Sequence, residues 1–382
     1  MDFDWSEDQA AFAEVVHRFA ERELAGPTTA DDTDGVFDRE AWKRCAAFGI
    51  QGLPFDREHG GGGADLLTVV AAMEALGRGC SDNGLLFSLN AHMWAVEHPI
   101  ARFGTPEQRE RWLPGLFDGS LIGAHGMSEP GSGSDAFSLT TSAAATDDGW
   151  VLNGSKIFVS NAPVADLFLV FATTDRTKGF GAVNAFVVER DTPGLTLGAP
   201  LHKLGLRTSP MSEVFLDDCV VPAANHLGRR GGGMPIFASS MERERSMILA
   251  CTLGTMARDL DRCIEHARSR TQFGQPIGKF QAVSHRVVEM KLRLETARLL
   301  MYRLAWMIDN GRSVALESSL VKLHLSECFV ASSLDAVRLF GGYGYMEEYG
   351  LSRDLRDAVG SALYSGTSDI QRNLAARHLL GL

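Results

Sequence analysis

The sequence predicts a mainly α-helical protein with a central β domain, on three observations. Apolar residues recur at helical spacing over the first third of the chain and again after Gly233. Between these stretches, short runs rich in β-branched and aromatic residues alternate with turn dipeptides. Gly231-Gly232-Gly233 then punctuates the return to helix. The order α, β, α gives an N-terminal α-helical domain (1–120), a middle β-barrel domain (121–230) and a C-terminal helical bundle domain (231–382).

Each element has a local cause. Ser6 and Gln9 form a capping box, each satisfying a free amide near the other, and Phe12, Val15, Val16 and Phe19 follow at helical spacing. Gly26-Pro27 stops that helix. A second helix covers Arg39–Phe48 and ends at Gly49. Thr105-Pro106-Glu107-Gln108 opens another, with proline at the first helical position. The run His59–Gly63 reads as a connection, with an anion cradle as the alternative. In the middle block, Asp148-Gly149 and Asn153-Gly154 are turn signals around Trp150-Val151-Leu152. Phe168–Phe171, Ala185–Val188 and Glu213–Val221 are further strands. Four long helices close the chain: Phe237–Arg270, Gln281–Asn310 with Gly311 at its end, Val314–Phe340 and Gly366–Leu380. They predict a four-helix bundle.

Composition narrows the function. The 382 residues are 45% hydrophobic and 22% charged, with a net charge of −11. An acidic chain lacks the basic face that nucleic acid or an anionic membrane requires. No apolar run is long enough to span a bilayer, and Met1-Asp2-Phe3-Asp4-Trp5 is acidic where a secretory leader is basic. The expected location is the cytoplasm. The six cysteines include no CxxC pair, and the histidines show no ligand spacing, so no metal site is expected. A GxGxxG turn, HExxH and GxSxG are all absent, and Gly274–Lys279 is one residue short of a phosphate loop.

Four segments carry a more specific signal. They are Met127–Asp135 (MSEPGSGSD), Asn153–Asn161 (NGSKIFVSN), Arg270–Gly274 (RTQFG) followed by Gln281, and Gly341–Gly344 followed by Tyr364–Arg372 (YSGTSDIQR). In this order and spacing the chain resembles the acyl-CoA dehydrogenase family of flavoproteins along essentially its whole length. The resemblance implies FAD as cofactor and an acyl thioester as substrate, carried by CoA or by an acyl carrier protein. An electron-transfer flavoprotein or oxygen would be the acceptor, and a homotetramer or homodimer the assembly. It places His125, Met127, Ser128, Phe158 and Ser160 along the flavin ring, with Phe158 where the family usually has Trp. It places Arg270, Gln272, Phe273 and Gln281 on the FAD of a neighbouring subunit, Arg270 against the pyrophosphate. Arg338 stands where Gln is frequent, and Gly342, Thr367 and Asp369 complete the cofactor set. Ser134, Arg245, Tyr364, Ser365 and Gly366 would meet the substrate.

The family chemistry removes a proton from the thioester α-carbon while the β-hydrogen leaves as hydride. The proton acceptor must be a desolvated carboxylate. Most members carry it directly after the Tyr of the fourth segment, where this chain has Ser365. The isovaleryl-CoA and long-chain enzymes carry it on the helix opening the C-terminal domain, in a Glu-Arg pair. Glu244-Arg245, within Met241–Ala250, falls on that pair. The implied function is α,β-dehydrogenation with Glu244 as base. Ser365 keeps open other flavin chemistry on the same fold (hydroxylase, oxidase or desulfinase), and a non-catalytic binding subunit is the third reading.

Overall fold

Cap chemistry sets the first elements. In the computed structural model, which describes residues 5–24, 26 and 29–381, the Ser6–Gln9 box opens α1 (Glu7–Glu23). Pro27, half of the expected stop, and residues 1–4 lie outside the described residues. The short α2 (Thr29–Asp34) precedes α3 (Arg39–Phe48), which ends as expected at a left-handed Gly49. α4 (Leu66–Gly79) and α5 (Asn83–His92) have no counterpart in the sequence reading. α4 is buried on almost every face, so its apolar residues show no helical period. A π-turn at Met93–Glu97 leads into α6 (His98–Phe103), and a Thr105–Gln108 capping box opens α7 (Pro106–Phe117).

The glycine run makes a structural turn, which removes the anion-cradle alternative. The amides of Gly60, Gly61, Gly62 and Gly63 are taken by the carbonyls of Arg57, Asp56, Gly52 and Phe55. A Cβ on Gly61 would come 2.2 Å from the Phe55 carbonyl oxygen.

The middle block holds β1 (Gly123–Gly126), β2 (Ser142–Ala145), β3 (Gly149–Ser160), β4 (Leu167–Thr173), β5 (Val183–Glu189), β6 (Leu195–Leu197), β7 (Met211–Pro222) and β8 (His226–Leu227). They form one sheet in the order β6-β7-β3-β2-β4-β5-β8, with β1 parallel to β4. The expected barrel is therefore open: the two end strands have only three and two residues, and β2 meets β4 through a single pair, Ser142 and Thr173.

The C-terminal part has six helices where four were expected. The run Phe237–Arg270 is split into α8 (Gly233–Met247) and α9 (Ala250–Ser269). The two meet at a tight turn through Ile248 and Leu249, whose near-helical backbone lets the apolar pattern run on across it. A small hairpin of β9 (Thr271–Gln272) and β10 (Gln275–Pro276) follows. Then come α10 (Gln281–Asp309), α11 (Ala315–Phe340), the unexpected α12 (Leu351–Ser361) and α13 (Ser368–Leu380). Gly350 before α12 and Gly360 inside it read as breakers in the sequence. α11 packs against α8, α9, α10, α12 and α13. No described helix is long and apolar enough to cross a membrane, and no described cluster of His, Cys, Asp or Glu could hold a metal ion.

Candidate active site

Glu244 and its hydrogen-bond partner come from distant parts of the chain. α8 carries Glu244 inward, leaving it 8% exposed. The turn before α13 brings Ser365 to it, and the Ser365 hydroxyl donates to Glu244 Oε1 at 2.5 Å. Burial pushes the Glu244 carboxyl above its ordinary value, while the Ser365 hydroxyl and the charges of Arg245 and Lys322 oppose that rise. Arg245 is itself held below its usual value, first by burial, and its Nε is buried without a hydrogen-bond partner.

The turn is built for one geometry. Ser365 has φ 54° and Gly366 φ 88°. That φ favours glycine at 366, and a Cβ there would lie 2.6 Å from Gln371 Nε2 and displace it. Tyr364 packs on Phe87 of α5, with ring centroids 4.6 Å apart. Both rings line a cavity of about 20 Å³, together with Ile248, Phe329, Asn83 and Asp357. Ile248 is one helical turn from Glu244 and donates its amide to the Glu244 carbonyl at 2.8 Å.

A second group lies at the mouth of the sheet. His125 on β1 stacks against Phe237 of α8 at 6.1 Å, which ties the strand to the helix of Glu244. Burial lowers the His125 imidazole to about 4, and its Nε2 has no hydrogen-bond partner. Met127 is buried, and the Ser128 carbonyl accepts from the Ile157 amide at 2.9 Å. Ser134 is exposed on the loop that follows, and Ser160 is half-buried at the end of β3. Phe158 sits on a bulge of β3, where Lys156 and Val159 pair with Val214 and Ser212. The extra residue turns Phe158 outward, 62% exposed at φ 57°. The bulge thus leaves a large apolar ring facing outward in a strained conformation.

Two buried residues fix this mouth. Glu129 accepts from Thr140 Oγ1 at 2.6 Å and Thr141 Oγ1 at 2.5 Å, and from Lys156 Nζ at 2.8 Å. Lys156 Nζ also donates to the Met127 carbonyl at 3.3 Å. Burial raises the Glu129 carboxyl, but Lys156 and the two threonines overcome it and hold it at about 2. The sequence reading did not assign Glu129 or Lys156, although both lie inside its first two segments.

The third group lies at the surface. Arg270 follows α9 with its guanidinium 5.6 Å from the centre of the Tyr343 ring. Gln272 is exposed, and Phe273 is 93% exposed at φ 50° on the hairpin. Gln281 and Gly342 are exposed, and Arg338 lies 3.7 Å from Asp335. Thr367 caps α13 by accepting from the Ile370 amide, and Asp369 points outward, paired with Arg372. The structure thus brings Arg245, Tyr364, Ser365 and Gly366, all half-buried, together around the buried Glu244 and leaves the Arg270 group on an open face.

Comparison with known proteins fits this geometry. Models of the acyl-CoA dehydrogenase N-terminal, middle and C-terminal domains match residues 6–120, 124–219 and 231–380. The chain belongs to the acyl-CoA dehydrogenase family. It is 44% identical to an L-prolyl-[peptidyl-carrier protein] dehydrogenase of Pseudomonas fluorescens, over 99% of this chain and 100% of the relative. It is similar to the crystal structure of the prolyl acyl carrier protein oxidase AnaB, with TM-score 0.97 and 46% identity, covering 99% of this chain and 100% of that one. It also resembles the structure of PigA with FAD and proline, with TM-score 0.95 and 39% identity over 99% of both chains.

Proposed function

We propose that this chain is an FAD-dependent dehydrogenase acting on a prolyl group held as a thioester on a carrier protein, with Glu244 as the α-proton base. The observation that carries the dehydrogenase reading is the buried Glu244 carboxylate held by the Ser365 hydroxyl, and the similarity to prolyl carrier-protein enzymes supports the substrate. The base thus sits on the helix opening the C-terminal domain, and the domains are 1–120, 121–230 and 231–382. Ser365 supports the base from the position where most relatives place it, so no other flavin chemistry is needed to explain the serine.

The residues fit a flat heteroaromatic cofactor: Phe158 offers an exposed ring, and His125 a buried nitrogen without a partner. His125, Met127, Ser128, Phe158 and Ser160 would hold the flavin ring. Arg270, Gln272, Phe273, Gln281, Arg338, Gly342, Thr367 and Asp369 would hold the rest of FAD. Bound FAD supplies a two-electron acceptor for the hydride that leaves the β-carbon.

The protein's own task is the α-proton. With Oε1 engaged by Ser365, Oε2 is left to take it. Burial makes Glu244 a stronger base than a carboxylate in water, and Arg245 and Lys322 keep it ionised. Tyr364, which precedes Ser365, packs on Phe87 and would bound the acyl end. Ser134 and Arg245 would meet the pantetheine arm and the substrate end. An electron-transfer flavoprotein or oxygen reoxidises the cofactor. Six buried free thiols favour a reducing compartment such as the cytoplasm.

The test is a substrate panel of prolyl, butyryl and hexanoyl groups, each on a carrier protein and on CoA. Loss of two hydrogens by mass should be fastest for the prolyl carrier thioester. Turnover of acyl-CoA alone would refute the carrier reading.

Assembly follows from exposed apolar surface. On α10, Val288, Leu292 and Leu299 are 63%, 55% and 50% exposed. Their spacing of four and seven puts them on one stripe. A second copy of the chain, in a homodimer or homotetramer, would cover it and bring its own Arg270 and Phe273 to the neighbour's FAD. Arg270→Ala should therefore release FAD, seen as loss of colour after gel filtration. A stable monomer with fully bound FAD in sedimentation would exclude the shared site.

A further inference from the structure

We propose that Lys322 is a positioning residue for Glu244: its ammonium grips the turn that delivers Ser365 and supplies positive charge that keeps the base ionised. The inference rests on Glu244 being the base.

Lys322 lies on α11 with no exposed surface. The helical period places it with Ser318, Leu325 and Phe329, all buried. A lysine in that register is the sequence signal that could have revealed it. Nζ donates to the Gly366 carbonyl at 2.7 Å and lies 5.7 Å from the centre of the Tyr364 ring. Gln371 Nε2, from α13, donates to the carbonyls of Ser365 at 3.1 Å and Gly366 at 3.0 Å. Two helices thus hold the carbonyls of a turn whose Ser365 and Gly366 are both left-handed. Movement of that turn would carry the Ser365 hydroxyl away from Glu244.

A neutral amide could grip a carbonyl at lower cost than a buried ammonium. The choice of lysine makes sense through its charge. Burial and the charge of Arg245 lower the Lys322 ammonium to about 8, and Glu244 opposes them. The charges acting on Glu244 are Arg245, beside it on α8, and Lys322, from α11; the turn contributes the neutral Ser365 hydroxyl. Two cations thus face one carboxylate, and removing one of them weakens ionisation of the base.

The experiment is the pH profile of kcat/KM for holoenzyme with Lys322→Met, Lys322→Gln or Lys322→Arg. The acid limb, set by ionisation of the base, should move up by about one pH unit or more in the Met and Gln variants. Lys322→Arg keeps the charge and should restore most of the wild-type profile. Should Lys322→Met fail to give folded holoenzyme, Lys322→Gln keeps a donor for Gly366 and gives the same readout. A rate lowered equally at every pH, with the limb unmoved, would mean that Lys322 only supports the fold, and overturns the proposal. Glu244→Gln separates the two ideas. If it is inactive and the Lys322 limb is unmoved, only the lysine proposal falls; if it retains wild-type activity, the base assignment falls first.

Discussion

Glu244→Gln is expected to lower turnover by roughly 10²–10⁴-fold, the usual worth of a general base. The amide keeps the shape of the side chain, and its carbonyl oxygen can still accept from the Ser365 hydroxyl that now bonds Oε1. What is lost is the ability to take a proton. FAD retention should be unchanged, since Glu244 lies outside the groups assigned to the cofactor. Stability should move the other way. Burial raises the Glu244 carboxyl above its unfolded value, so the folded chain holds that proton more tightly. Stability then falls as pH rises through that window, and glutamine has no such loss. At neutral pH the variant should melt at or above the wild-type temperature. Melting curves at several pH values, beside steady-state rates, check both halves.

Lys156→Met should destabilise the protein by about 3–5 kcal/mol, the usual cost of breaking a buried ion pair from one side. Glu129 and Lys156 are 4% and 0% exposed, so neither can turn to water. Methionine fills the space but leaves the Glu129 carboxylate without its counter-charge, held by the neutral amides and hydroxyls of Thr140 and Thr141. It also frees the Met127 carbonyl, so the mouth of the sheet should loosen and FAD should be lost more readily. Adding Glu129→Gln to Lys156→Met removes the stranded charge and should recover part of the loss. Urea unfolding of the single and double variants measures this, and a single variant as stable as wild type would mean that the pair is not what fixes the loop.

The fold was legible wherever local chemistry decides it. The Ser6–Gln9 capping box, the helix start at Thr105-Pro106, the Gly49 stop and the strands at Phe168, Ala185 and Glu213 lie where their residues place them, whereas Asn153-Gly154, read as a turn, is a bulge inside the unbroken strand β3. What escaped has physical reasons. α4 is buried on almost every face and shows no period, α12 follows Gly350 and contains Gly360, and the turn between α8 and α9 is near-helical, so the apolar pattern runs through it. The candidate site was legible through segments whose order resembles a family. The bond between Ser365 and Glu244 joins positions 121 residues apart, and no local pattern encodes it. Lys156 and Lys322 were missed because a lone lysine in an apolar element reads as a surface residue until its partner is seen.

The most direct measurement is anaerobic rapid mixing of the FAD-loaded protein with a prolyl carrier thioester, the substrate proposed above, following loss of the flavin's visible absorbance in a single turnover. Wild type should bleach fast. Glu244→Asp, with its carboxylate drawn back by one methylene, should be slower, and Glu244→Gln slower by at least about 100-fold, with FAD bound throughout. Bleaching of Glu244→Gln at the wild-type rate would contradict the account, because the α-proton would then leave to some other group.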